Sequence, residues 1–136
     1  MDVLTLEAEL VTHLKENLPT GVHVQAWPDN PETFDFTQAN GAVLVRYDSD
    51  TFSAPVANRA GKIIQERTAE WSIVALHRNL SKHQGIYTLL EAVRTVITGF
   101  TFPSEPESTV LYPIKSGFLG RQPGKWIYQI VFGQTF

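Results

Sequence analysis

The stretch KIIQERTAEWSIVALHRNLSKHQGIYTLLEAVRTVITGF, residues 62–100, decides the fold, because its hydrophobic period changes part-way along. In its first half Ala69, Trp71, Ile73 and Ala75 fall on one side of a pleat. Glu66, Thr68, Glu70 and Ser72 fall on the other, the alternation of a strand with one buried face. From Ile73 to Leu76 both sides are apolar, so this end of the strand is expected to be covered on both faces. Beyond it Ile86, Leu89, Leu90, Val93, Ile97 and Phe100 recur at three and four, one apolar stripe on a helix. Ser81 and Gln84 have capping-box spacing, and Gly99 stands where a C-terminal cap belongs.

Toward the N-terminus, Val3, Leu6, Leu10, Val11, Leu14 and Leu18 share one face of a predicted helix, which Pro19-Thr20-Gly21 stops. Val22, Val24 and Ala26 alternate with His23 and Gln25 as a short strand. Pro28-Asp29-Asn30-Pro31 opens a polar loop that lasts to about residue 40. Residues 41–47 (GAVLVRY) read as a central strand, apolar on both faces for several residues. Residues 48–61 then read as a long arm, partly paired along its length, between two antiparallel strands. A connection this long is commonly functional, which makes the arm a candidate contact surface.

Toward the C-terminus, residues 103–108 (PSEPES) form a surface connector. Residues 110–119 read as a strand that Pro113 assigns to an edge or a bulge. Residues 126–132 alternate Trp126, Tyr128, Ile130 and Phe132 against Ile127, Gln129 and Val131. The expected fold is α+β in the order α-β-β-β-α-β-β: a mainly antiparallel sheet of four or five strands, its first three antiparallel, with both helices on one face. No repeat or boundary interrupts residues 1–136, so a single domain is expected.

The chain has 136 residues, 43% of them hydrophobic and 18% charged, and a formal charge of −3. That balance argues against broad electrostatic binding of nucleic acid. The absence of cysteine excludes disulfides, thiolate metal sites and cysteine nucleophiles. Residues 1–10 (MDVLTLEAEL) do not resemble a signal peptide, and no apolar run reaches the ~20 residues needed to span a bilayer. A soluble protein without membrane association is expected.

The search for chemistry returns little. His13, His23, His77 and His83 match no common metal-ligand spacing and read as surface or satisfied histidines. Asp48-Ser49-Asp50 lacks the later glycine and glutamate of a calcium loop. Gly117, Gly120 and Gly124 precede no helix, as a phosphate loop would, and no G-x-S-x-G elbow occurs. No catalytic, cofactor-binding or metal-binding residue is therefore assigned, and an enzyme is not expected. The aromatics divide into two groups. Trp71, Trp126, Tyr128 and Phe132 alternate as core strand residues, whereas Phe34, Phe36 and Phe52 stand in polar segments, where loop aromatics commonly anchor interfaces. With Asp50, Arg59, Arg67 and Arg121 they are the candidate subunit- or tube-interface residues, Phe52 as anchor and Arg59 in a polar pair.

The run WSIVALHRNL (71–80), then GIYTLLEAVR (85–94), Gly99-Phe100 and Pro103, resembles a family of Mu-like prophage tail proteins. Leu111-Tyr112-Pro113, Gly117-Phe118 and Trp126-x-Tyr128 fit it too. The element order is also similar to that of the minor tail protein U of lambda-type phages. The resemblance covers the second half of the chain closely and the first half by element order, and it does not extend to residues 27–40 or 48–61. It implies a tail terminator, also called a tail completion protein: a ring of about six subunits on the head-proximal end of a contractile tail's tube. Such a ring stops tube polymerisation and offers its other face to head or neck proteins. The partners implied are further copies of the chain, the tail tube protein, and possible contacts with sheath and connector. DNA would pass through the ring without sequence-specific binding, and the protein would reside in the virion after assembly in the host cytoplasm. The alternatives are another neck or head–tail joining component and, further off, a small ligand-binding or enzymatic domain.

Overall fold

A computed structural model describes residues 2–28, 41–57, 63–78, 84–122 and 125–135, with the side chains of 56–57, 63–64, 84 and 121–122 outside that set. The order is α1 (Val3–Asn17), β1 (His23–Ala26), β2 (Ala42–Phe52), β3 (Val56–Ala57), β4 (Ile63–Ile64), β5 (Arg67–His77), α2 (Gln84–Ile97), β6 (Tyr112–Gln122) and β7 (Lys125–Thr135). Five strands form one sheet in the order β1-β2-β5-β7-β6, and β3 and β4 make a separate two-stranded ribbon. The fold is α+β, with the expected element order.

Each helix forms where its apolar stripe meets the sheet. Leu6, Leu10 and Leu14 of α1 and Ile86, Val93 and Ile97 of α2 are fully buried. They pack in one cluster with Val43 and Val45 of β2, Trp71, Ile73 and Ala75 of β5, and Ile130 and Phe132 of β7, so both helices lie on one face. Asp2 caps α1, its carboxylate accepting from the Leu4 amide at 3.1 Å and the Thr5 hydroxyl at 2.6 Å. Gly99, at φ +87°, ends α2 in the left-handed conformation that glycine adopts without strain. Ser81, the other half of the expected capping box, lies outside the described residues.

The doubly apolar end of the central strand is covered on its second face as well. There Ala42, Leu44, Val74 and Leu76 are buried, with Trp27 and Ile127 packed against them. Gly41 tightens this end: its φ is +98°, and a Cβ there would stand 2.5 Å from the Leu76 carbonyl oxygen.

Two expectations need correction. β1 pairs with β2 in parallel, His23 opposite Ala42 and Ala26 opposite Val45, so the first three strands are not all antiparallel. The fifteen residues between these strands meet the length that a parallel crossover requires. The arm, paired over part of its length as expected, also begins later than residue 48, and its residues 58–61 lie outside the described ones. β2 runs on through Phe52, which pairs with Arg67, after a bulge between Tyr47 and Ser49. One extra residue absorbed at the bulge lets the ladder resume beyond the polar Asp48-Ser49-Asp50.

Candidate interaction surface

β6 lies at one edge of the sheet, bonded to β7 alone. Pro113 removes one amide donor, and the register shifts between Pro113 and Lys115 and again between Phe118 and Gly120. The two irregularities leave Ile114 and Leu119 without cross-strand partners, as bulged residues are. Four large apolar side chains stay in solvent: Tyr112 at 38% exposure, Ile114 at 43%, Phe118 at 52% and Leu119 at 54%. Tyr112 and Ile114 lean across Gly133, where a Cβ would come within 2.9 Å of both. Phe118 turns to the helix side and meets Tyr128 at 5.2 Å and Trp126 at 6.0 Å between ring centroids. Tyr128 in turn meets Tyr87 of α2 edge-on at 5.9 Å. Burial raises the Tyr128 phenol, and the hydrogen bond with Tyr87 adds to the shift. The aromatic contacts thus run unbroken from the exposed edge to the helix layer.

A second grouping sits where β2 and β5 reach past the helices. Arg67 Nη2 donates to Asp50 Oδ2 at 2.6 Å, and the guanidinium stands 6.0 Å from the Phe52 ring centroid. Phe52 is 55% exposed. Burial works to raise the Asp50 carboxyl, but hydrogen bonds from Arg67 and Tyr47, with the charge of Arg67, outweigh it and hold the carboxyl low. Burial raises the Tyr47 phenol, and neighbouring Asp50 raises it further. Asp50, Phe52 and Arg67 therefore come together as one ion pair under an exposed ring. Phe34, Phe36 and Arg59 lie outside the described residues. Arg121 is on β6 opposite Trp126, away from that group, and its side chain is outside the described set.

The face of the sheet away from the helices carries a polar chain across three strands. Arg46 Nε donates to Asp48 Oδ1 at 2.7 Å, the Ser72 hydroxyl donates to Asp48 Oδ2, and Gln129 Nε2 donates to Ser72 Oγ at 2.6 Å. Arg46 also lies over the Trp27 ring, 4.8 Å from its centroid. This arrangement satisfies Ser72, which is fully buried.

The described histidines have structural contacts. His13 Nε2 donates to the Val96 carbonyl at 2.9 Å while the ring stacks on Phe100 at 4.1 Å. His23 Nε2 donates to Gln25 Oε1 at 2.6 Å. His77 lies where a Cβ on Gly85 would overlap its ring, and burial lowers its pKa. Among the described residues no three of His, Asp and Glu converge as a metal site would require.

The residues of β6 are the ones that sequence reasoning missed. Its bulges break the period of two, so Tyr112, Ile114, Phe118 and Leu119 follow no face pattern. The available signal was Pro113 beside large apolar residues on a strand already expected at an edge.

The Gp37 protein family model matches residues 10–135 of the chain. A comparison with curated protein sequences finds no match.

Proposed function

The chain belongs to the Gp37 family, a phage-related protein family, and from that premise we propose that it is a tail terminator of a phage with a Mu-like contractile tail. It forms a ring on the head-proximal end of the tail tube, stops tube growth and offers its outer face to the neck. The observation that carries this reading is β6: an eleven-residue edge strand with Tyr112, Ile114, Phe118 and Leu119 all exposed. Pro113 and the two bulges discourage backbone pairing along this edge, which leaves its exposed apolar side chains as the surface for a neighbouring copy to cover. A terminator needs such an exposed contact surface and no turnover chemistry, because its work is to close a heterologous contact into a ring.

The test adds the purified protein to polymerising tail-tube subunits, with native mass spectrometry of the protein alone and on tubes. The expected result is tubes of arrested length bearing a closed ring of about six copies. Tubes that elongate unchanged at saturating protein would overturn the terminator role. If the protein instead joined heads to finished tails, the neck-component reading would replace it.

A further inference from the structure

Resting on the ring reading, we propose that β6 of one copy seats in a groove on the helix layer of the next. The groove, of about 590 Å³, is walled by Leu4 and Ala8 of α1 on one side and by Phe100 and Pro103 on the other, with Glu9 and Glu16 also lining it. The stack of His13 on Phe100 and its hydrogen bond to Val96 hold the two walls together. Leu4 is 72% exposed, an apolar side chain at the groove mouth.

Charge identifies the occupant. Residues 2–17 carry Asp2, Glu7, Glu9 and Glu16 against Lys15 alone. Residues 109–136 carry Lys115, Arg121 and Lys125 and no Asp or Glu. The acidic groove thus faces a need for a cationic, apolar partner, and β6 with the start of β7 is cationic and apolar. Leu119, which lines a shallow surface together with Lys115, supplies the apolar knob, and Lys115 and Lys125 supply charge for Glu9 and Glu16. The two surfaces are also compatible within one copy. α1 packs against β1, β2 and α2, while β6 packs on β7, so a single chain can present its groove to one neighbour and its strand to the other. That head-to-tail use is what a closed ring requires.

Paired charge reversals provide the test, read by native mass spectrometry and sedimentation under conditions in which the wild-type protein assembles. Glu9→Lys/Glu16→Lys inverts the groove, and Lys115→Glu/Lys125→Glu inverts the strand. Each variant alone is expected to lose assembly by about tenfold or more, since like charges then meet. An equimolar mixture is expected to recover assembly as an alternating ring, because each groove then meets a strand of opposite sign. Circular dichroism checks that both variants fold, and the milder Glu9→Gln/Glu16→Gln pair should flatten the salt dependence of assembly. Variants that assemble like wild type, or folded variants that fail to rescue each other, overturn the proposed contact and leave the ring reading standing. A wild-type protein that stays monomeric even on tubes removes the ring reading and this contact together.

Discussion

β5 and β6 are both eleven residues long and belong to the same sheet, yet they solve opposite problems. β5 lies between two strands and beneath α2, and Ala69 and Trp71 to Leu76 are all buried. Its sequence is nearly all apolar at one end and alternates at the other, with no proline, no glycine and one bulge against β2. β6 has one neighbour, a proline, two glycines and two register shifts, and it leaves its largest apolar side chains in water. Burial explains the composition of the first strand. The proline, the bulges and Lys115 of the second guard an edge against indiscriminate pairing, but they do not account for Tyr112, Ile114, Phe118 and Leu119 standing in water. The contrast separates residues that hold the fold from residues that, on the proposed reading, meet a neighbouring copy.

Mutations should separate the two strands by size of effect. The largest is expected from Trp71→Ala, which empties the site that meets Tyr47 and Phe102. It should cost about 3–5 kcal/mol in chemical denaturation, and a loss below that range would mean that β5 does not carry the core. Next is Gly41→Ala, at the well-covered end of β5. The positive φ and the overlap with Leu76 oxygen should cost about 2–3 kcal/mol.

Asp50→Asn, at the far end of the same ladder, should cost about 1–2 kcal/mol by weakening the bond to Arg67. Because the folded pKa of Asp50 lies below its unfolded value, its contribution is complete above the ordinary carboxylate range. It is lost as pH falls through the lowered folded value. The wild-type protein should therefore lose its stability margin over Asp50→Asn in acid, seen in denaturation at a series of pH values. Smallest is Leu119→Ser on β6, expected to leave monomer stability within about 0.5 kcal/mol while reducing assembly on tubes. A large stability loss from Leu119→Ser would erase the distinction between the strands.

Most of the fold was legible because helix and strand periods are local. The stripes of α1 and α2, the Gly99 cap, the helix-facing Trp71-Ile73-Ala75 row and the edge character given by Pro113 all follow from spacing. What was not legible depends on distant partners. The parallel pairing of β1 with β2 joins segments fifteen residues apart, beyond the reach of any local period. The burial of Phe102 and Leu111 arises because the connector after α2 folds back, Leu111 donating its amide to Phe100 and Gly99 donating to Leu111. Of the candidate interface, the ion pair of Asp50 and Arg67 was readable as residues but not as a pair, since seventeen positions separate them. The apolar exposure of β6 was unreadable because bulges disrupt the alternation that would assign faces.

The strand order has a consequence for synthesis. β7 lies between β5 and β6 although it is made after both. While the chain emerges, the most apolar strand has one flank bare until Lys125–Thr135 arrives, an interval of about 50 residues, or on the order of 3–10 s at ordinary translation rates. β6 meanwhile has no strand to bond. The nascent protein therefore passes through a stage with open β5 and β6 edges together, and its greatest risk of misassembly falls in those seconds.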